Sequence, residues 1–198
     1  MLPEQFCVRM KEMLGEEYAA FYASYDLPKY QALRINPLKT EWDTFLQQAP
    51  FSLNRVPWTT NGYYYSGNDQ PGRHPYHEAG VYYIQEPSAM APAEYLMAEP
   101  GERILDLCAA PGGKSTQIAC SMQGEGLIVC NEIHPARAKI LSENIERMGV
   151  CNALVTNETP QKLSDNFREY FDRILVDAPC SGEGMFRKNE DACDEWSP

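Results

Sequence analysis

The feature that most constrains the fold is a regular alternation of apolar and amphipathic segments in the second half of the chain. Strand patterns occur at 103–107, 127–131, 153–156 and 173–177, and helical patterns at 114–122, 135–148 and 161–171. Strands that alternate with helices pair in parallel, because each helix returns the chain across a face of the sheet. The pattern therefore predicts an α/β fold with a parallel sheet.

The first part of the chain has a different pattern. Apolar spacings of three and four over residues 3–25 predict two amphipathic helices interrupted near Gly15. Residues 32–36 predict a short strand, and Trp42 to Gln48 predicts a helix. We therefore expect a small α+β domain over residues 1–80.

The junction between the two parts is rich in turn formers. From Phe51 to Tyr83 the abundance of Tyr, Pro, Gly and Asn predicts short strands and loops rather than helix. Residues 82–85 are strand-like, and Pro87 opens a helix predicted over 89–97. We expect the α/β domain to cover residues 81–198.

Composition restricts the environment and the partners. The seven cysteines contain no Cys-x-x-Cys pair and indicate free thiols in a reducing compartment, and we expect a cytoplasmic protein with no membrane span. His74 and His77 have no supporting ligands at suitable spacing, so we expect no metal. The formal net charge of -11 argues against a surface that coats nucleic acid, although a local basic groove is compatible with it.

A loop of small residues follows the first predicted parallel strand. Its members are Cys108, Ala109, Ala110, Pro111, Gly112, Gly113 and Lys114. In an open parallel sheet, ligands bind beyond the carboxyl ends of the strands, and small residues allow backbone N–H groups to approach the ligand. Glu132, at the end of the second strand, has the sequence offset of an acid that binds a ribose hydroxyl. The two features together predict a ribose-bearing cofactor.

Three such cofactors compete for this loop. A nucleoside triphosphate loop would need glycine where Cys108 stands, although Gly113-Lys114-Ser115 matches its end. A dinucleotide fold would need Gly-x-Gly-x-x-Gly after the strand, and the loop lacks it. S-adenosylmethionine offers a ribose without a pyrophosphate, and we favour it.

A second loop, after the fourth strand, contains Asp177, Cys180 and two glycines. A buried, unreactive cysteine is the commonest alternative for a free thiol. The glycines leave this thiol little cover, however, and a thiolate can add to carbon 6 of a pyrimidine and so make carbon 5 nucleophilic toward a methyl group. The pair of loops suggests methyl transfer to a pyrimidine ring.

These residues resemble the Nol/Nop/Sun family of RNA cytosine-5 methyltransferases, in the branch that modifies bacterial 16S ribosomal RNA. The resemblance covers almost the whole chain, through Leu33–Lys39, Tyr83–Met90, Leu105–Lys114, Asn131-Glu132 and Asp177–Lys188 with Trp196–Pro198. It implies a Rossmann-like methyltransferase sheet, S-adenosylmethionine as cofactor, and RNA as partner, with ribosomal RNA favoured over transfer RNA.

The resemblance also implies roles for individual residues. The loop Cys108–Lys114 would bind the cofactor, Glu132 its ribose, and the stretch Thr156–Thr159 its adenine, with Thr159 standing where relatives often place aspartate. Asp177 would lie near the methionine end of the cofactor and the target base, and Lys114 would help to orient substrate. Cys180 matches the family's cysteine that assists product release.

The attacking cysteine of the family belongs to a later Thr-Cys motif, which these 198 residues do not contain. Cys193 lies in an acidic segment, residues 190–195, and we do not expect it to substitute for that nucleophile. We therefore expect an N-terminal portion of a larger enzyme, with an incomplete sheet, that binds cofactor but by itself transfers the methyl group poorly or not at all. A non-catalytic module that binds S-adenosylmethionine or RNA, a transfer RNA methyltransferase and a small-molecule methyltransferase are the alternatives.

Overall fold

The computed structural model describes residues 2–180, 182–187 and 191–197. Within these ranges the helices, in chain order, are α1 (Glu4–Leu14), α2 (Tyr18–Ala23), α3 (Trp42–Gln48), α4 (Pro75–Glu78), α5 (Pro87–Leu96), α6 (Gly113–Met122), α7 (Pro135–Arg147), α8 (Pro160–Asn166) and α9 (Asp191–Asp194). The strands are β1 (Ala32–Ile35), β2 (Leu53–Arg55), β3 (Gly62–Tyr65), β4 (Tyr82–Ile84), β5 (Arg103–Asp106), β6 (Leu127–Asn131), β7 (Ala153–Thr156) and β8 (Arg173–Leu175). None of the helices in these ranges is long and apolar enough to cross a membrane.

The chain forms two compact units. The smaller unit combines the residues up to Lys29 with those from Ala178 onward, and the larger unit is Tyr30–Asp177. In the smaller unit the buried Phe6 ring contacts the rings of Phe186 and Trp196 edge-on. The larger unit contains both sheets, and the expected domain division near residue 80 falls inside it and stays a prediction.

The first sheet is antiparallel, with strand order β2-β3-β1-β4. It buries Leu33, Ile35, Tyr63 and Tyr82 against Phe45 of α3. The predicted strands at 32–36 and 82–85 and the predicted helix at 42–48 are confirmed.

Helix α4 is the departure from the expectation that residues 51–83 contain no helix. Pro75 occupies its first position, where a missing N–H costs nothing. The ring of His74 caps it by accepting a hydrogen bond from the backbone N–H of Tyr76. A helix of a single turn, capped by a histidine, is too short to be predicted from composition.

The second sheet is parallel, with strand order β7-β6-β5-β8. Residues of β5 alternate between its faces: Ile104 packs with α6 and α7, whereas Leu105 packs with Leu163 of α8. The order turns back at β5, because β6 and β7 follow on one side and β8 pairs on the other. This reversal is the place where open α/β sheets bind ligands.

The predicted strands and helices of this sheet are confirmed, with one larger difference in α8. This helix was predicted to continue to residue 171 but ends at Asn166. Phe167 leaves the helical region, with φ -122° and ψ 46°. Phe167 and Phe171 then pack against the cluster of Leu105 and Leu163. The spacing of four residues between these two phenylalanines therefore places both rings in the core from a turn, and the helix does not continue.

Candidate cofactor-binding and catalytic site

The loop after β5 is held by backbone and side-chain hydrogen bonds. The Ala109 N–H donates to the carbonyl of Asn131, which ends β6, at 2.8 Å. The guanidinium of Arg137 on α7 donates to the carbonyl of Ala110 at 3.0 Å. One of these bonds fixes an N–H of the loop and the other fixes a carbonyl. The loop therefore has a defined shape before any ligand binds.

Gly112 allows this loop to enter α6. Its φ of +110° lies in a region that L side chains rarely adopt, and an added Cβ would lie 3.2 Å from Cδ1 of Leu141. The carbonyl of the preceding Pro111, which follows a cis peptide bond, accepts a hydrogen bond from Asn144 at 2.8 Å. The glycine at position 112 is therefore required by the backbone itself.

Asp106 is a site residue that sequence analysis missed. It ends β5 directly below the loop, is 1% exposed, and accepts a hydrogen bond from Ser115 on one oxygen at 2.7 Å. Its other oxygen, Oδ1, is buried without a partner among the described residues. Burial raises the pKa of this carboxyl to about 6, against the opposing effects of Ser115, Lys114 and the nearby backbone N–H of Cys108. The sequence signal was a charged residue inside an apolar strand.

Glu132 lies just beyond β6 and is 3% exposed. Its Oε1 accepts a hydrogen bond from the backbone N–H of His134 at 3.0 Å, and Oε2 lies 3.3 Å from the Arg137 guanidinium. Since a carboxylate accepts about four hydrogen bonds, each oxygen retains a lone pair for a hydroxyl group. Arg137 thus contacts both Glu132, the residue predicted to bind the ribose, and the cofactor loop.

Asn131 was named only as part of a motif, yet it connects three loops. Its side-chain amide donates to the carbonyls of Leu107 and Glu158, at 3.2 and 3.0 Å. Its side-chain oxygen accepts from the Thr156 hydroxyl and from the N–H of Glu158. The ends of β5, β6 and β7 are therefore held together by one buried amide.

Thr159 has a structural use in this arrangement. Its hydroxyl caps α8 by accepting a hydrogen bond from the N–H of Lys162 at 3.3 Å. Aspartate and threonine both serve as N-caps, so threonine at position 159, where the resemblance leads us to expect aspartate, still starts the helix.

Lys114 and Asp177, which sequence analysis assigned to substrate handling, form an ion pair. The Lys114 Nζ lies 2.6 Å from Asp177 Oδ2. The strand pairing of β5 with β8 places the first turn of α6 beside the end of β8. The ion pair therefore places the carboxylate of Asp177 beside the cofactor loop.

The cysteines divide by environment. Burial raises the pKa of the Cys108 thiol, which disfavours a thiolate there. Cys180 belongs to the smaller unit, where it is exposed, and Cys193 is half-buried in α9. The role of Cys180 stays a prediction. Among the residues that the structure describes, no His, Cys, Asp or Glu group is placed to hold a metal ion.

Comparison with known proteins agrees with this geometry. Residues 2–87 match the family model of the N-terminal domain of 16S rRNA methyltransferase RsmF, and residues 93–196 match that of 16S rRNA methyltransferase RsmB/F. The ribosomal RNA small subunit methyltransferase F of Escherichia coli O157:H7 is 38% identical over 99% of this chain and 43% of its own length. The chain thus spans less than half of this curated relative.

Two solved structures are similar over nearly the whole chain. PH0851 has a TM-score of 0.89 and 25% identity, over 99% of this chain and 45% of that one. A methyltransferase homolog protein from Pyrococcus horikoshii has a TM-score of 0.82 and 30% identity, over 94% and 62%.

The predicted fold class is confirmed: this is a Rossmann-like methyltransferase fold with a small N-terminal domain. The chain belongs to the 16S rRNA methyltransferase RsmB/F family, whose members depend on S-adenosylmethionine. The predicted resemblance to Nol/Nop/Sun proteins is thereby confirmed.

Proposed function

We propose that this chain is the cofactor-binding part of an enzyme that transfers a methyl group from S-adenosylmethionine to carbon 5 of cytosine in RNA, with ribosomal RNA as the favoured substrate. The observation that carries the proposal is the 2.6 Å ion pair between Lys114 of the cofactor loop and Asp177 of the second motif. It brings a ligand cradle and a carboxylate for substrate to one edge of the sheet. Family membership supports the same reaction.

The residues present fit S-adenosylmethionine. In the loop, the N–H groups of Ala109 and Gly112 bond to carbonyls of the protein, whereas the N–H of Gly113 at the start of α6 has no intrahelical acceptor and can serve a ligand. Glu132 offers acceptors for ribose hydroxyls. The unpartnered Oδ1 of Asp106 suits the ammonium group of an amino acid, since a buried acceptor without a donor is costly. When bound, S-adenosylmethionine supplies an electrophilic methyl group.

The residues toward the base have separate tasks. Asp177 accepts hydrogen bonds from the target ring, and Lys114 holds its carboxylate in place. Carbon 5 of cytosine is a weak nucleophile until a thiolate adds at carbon 6, and the resemblance assigns this attack to a Thr-Cys motif. Cys180 then takes part in release of the methylated product, and its exposure suits contact with a large substrate.

A second candidate is a non-catalytic module that binds S-adenosylmethionine. The net charge of -11 favours it, because RNA binding releases counterions through clustered Lys and Arg. Transfer RNA as substrate is the remaining alternative within the family.

The cofactor is tested by calorimetry with S-adenosylmethionine, ATP and NAD on the wild type, Glu132→Gln and Glu143→Gln. Glu143 lies on α7 and is exposed, so it serves as the matched control. We expect binding of S-adenosylmethionine alone, weakened about tenfold or more in Glu132→Gln, as the loss of a charge-assisted hydrogen bond requires. Binding of ATP or NAD instead would overturn the proposal.

The substrate is tested by titrating 16S ribosomal RNA fragments and transfer RNA at several salt concentrations, with S-adenosylmethionine present. Tighter binding of the ribosomal fragment, falling with added salt, supports the proposal. Cofactor binding with no RNA binding favours the non-catalytic module.

A further inference from the structure

Arg34 on β1 is a buried cation of unusual surroundings. The residue is 0% exposed, and no acidic side chain in the described part of the chain forms an ion pair with it. Burial of a guanidinium is costly unless its donors are satisfied. The neutral groups that accept its hydrogen bonds therefore show which part of the protein the guanidinium stabilises.

Those partners lie on α6, apart from Gln85, and they include the Cys120 thiol, whose Sγ is 3.6 Å from Nη1. The Nη2 atom donates to the carbonyl of Gly113 at 3.1 Å and to the Thr116 hydroxyl at 2.7 Å. Thr116 in turn donates to the carbonyl of Gly112 at 2.8 Å. The Nε atom donates to Gln85 Oε1 on the side of β4. Arg34 thus reaches from the antiparallel sheet to two carbonyls of the cofactor loop.

Through the geometry of the peptide group, these hydrogen bonds to carbonyls affect the N–H groups that can bind a ligand. In a planar trans peptide the C=O and N–H point in opposite directions. Carbonyls of Gly112 and Gly113 that face Arg34 therefore direct the N–H groups of Gly113 and Lys114 away from it. These N–H groups are at the start of α6 and have no intrahelical acceptor. The carbonyl of Gly112 also accepts the helical hydrogen bond from the Thr116 N–H at 2.9 Å. Arg34 therefore reinforces a direction that α6 already gives, and its charge adds to the positive potential of the two N–H groups.

The charge pattern around the loop indicates which ligand group these amides receive. Below the same loop, the unpartnered Oδ1 of Asp106 lacks a donor. A ligand with an ammonium and a carboxylate on one carbon would satisfy both. The amino-acid end of S-adenosylmethionine has this pair.

We propose that Arg34 is a positioning residue that makes the loop selective for a cofactor carrying a carboxylate. The inference rests on the proposed function. It also gives the segment matched as the N-terminal domain a part in cofactor selection, since Arg34 lies within residues 2–87 and the loop within 93–196.

The test compares S-adenosylmethionine with its decarboxylated analogue, which keeps the sulfonium, ribose, adenine and amine. Both ligands are titrated calorimetrically into the 198-residue wild type, Arg34→Lys and Arg173→Lys. Arg173 is the control, because it is half-buried and also donates to a backbone carbonyl, that of Leu96, but lies at the start of β8, at the other end of the sheet from the loop.

We expect the wild type and Arg173→Lys to prefer S-adenosylmethionine about tenfold or more, as a charge-assisted contact would give, and Arg34→Lys to lose most of that preference. Equal weakening of both ligands, or an unchanged preference, overturns the inference and leaves the proposed function intact. A wild type that binds neither ligand overturns the proposed function and this inference with it.

Thr116→Val provides a second variant if Arg34→Lys does not fold. It removes the hydroxyl that accepts a hydrogen bond from Arg34 and donates one to the Gly112 carbonyl, and it leaves the guanidinium bonded to the Gly113 carbonyl. We expect a partial loss of the preference, about threefold, in keeping with one neutral hydrogen bond. A folded Thr116→Val protein with the full wild-type preference would count against the inference.

Discussion

The Nζ atom of Lys114 lies 2.6 Å from Oδ2 of Asp177, although the two residues belong to separate sequence motifs. The pairing of β8 with β5 brings them together. The Lys114 side chain is 19% exposed and that of Asp177 is 54% exposed. Because water screens such a pair, we expect its contribution to stability to be small. Its role is to hold the two side chains in place in the site.

A double-mutant cycle with Lys114→Met and Asp177→Asn tests this view. We expect a coupling energy below about 1 kcal/mol in urea denaturation, the usual value for solvated pairs. We expect Asp177→Asn to weaken S-adenosylmethionine binding about tenfold, because its carboxylate faces the cofactor loop. Arg103→Met, which breaks the exposed ion pair with Asp172 at the start of β5, should leave that affinity unchanged. A coupling energy above about 2 kcal/mol would make the pair a structural one.

The buried carboxyl of Asp106 gives the chain a pH-dependent stability. Its pKa is about 6 in the folded chain and 3.8 without the fold, because burial disfavours the charge. The folded state therefore holds the proton more tightly, so this contribution is complete below pH 4 and is lost as the pH rises through 6.

We expect Asp106→Asn to remove this dependence. As the pH rises from 4 to 7, its free energy of unfolding should gain on the wild type by up to about 3 kcal/mol. Urea denaturation at several pH values measures the difference. A difference that does not change with pH would show that the carboxyl titrates normally.

Gly112→Ala should damage the cofactor loop. The φ of +110° and the 3.2 Å approach to Leu141 together make a side chain there strained, and we expect a loss of about 1–3 kcal/mol in stability. Cofactor affinity should fall too, because the loop must shift. Gly67→Ala is the control, since a Cβ there meets nothing within 4 Å and its φ is not positive. Equal effects of the two substitutions on unfolding and ligand binding would contradict this account.

Asn131→Ala should loosen the edge of the sheet. It leaves buried partners in three loops without hydrogen bonds, and we expect a loss of about 2–4 kcal/mol. Asn152→Ala removes a single exposed bond to the Glu125 carbonyl and should cost under about 1 kcal/mol. Hydrogen exchange should detect faster opening at Ala109 and Glu158 in the first variant only. Wild-type protection there would argue that Asn131 is not the link.

Local patterns predicted most elements of the parallel sheet to within two residues, since buried strands and amphipathic helices leave strong periodicities. They failed at α4 and at the end of α8. His74 caps one turn, and Phe167 packs with helical spacing after the helix has ended. Both departures depend on single side-chain contacts, which periodicity does not encode.

The sequence alone determined the fold class and the candidate loop residues, because strand periodicity, small-residue loops and motif spacing are local properties of the chain. It also supplied Glu132, Lys114 and Asp177 as candidates. Only the tertiary structure decided that Lys114 pairs with Asp177, that Asp106 has an unpartnered oxygen, and that Arg34 supports the loop. These relationships depend on strand order and on burial, which arise when distant segments pack together.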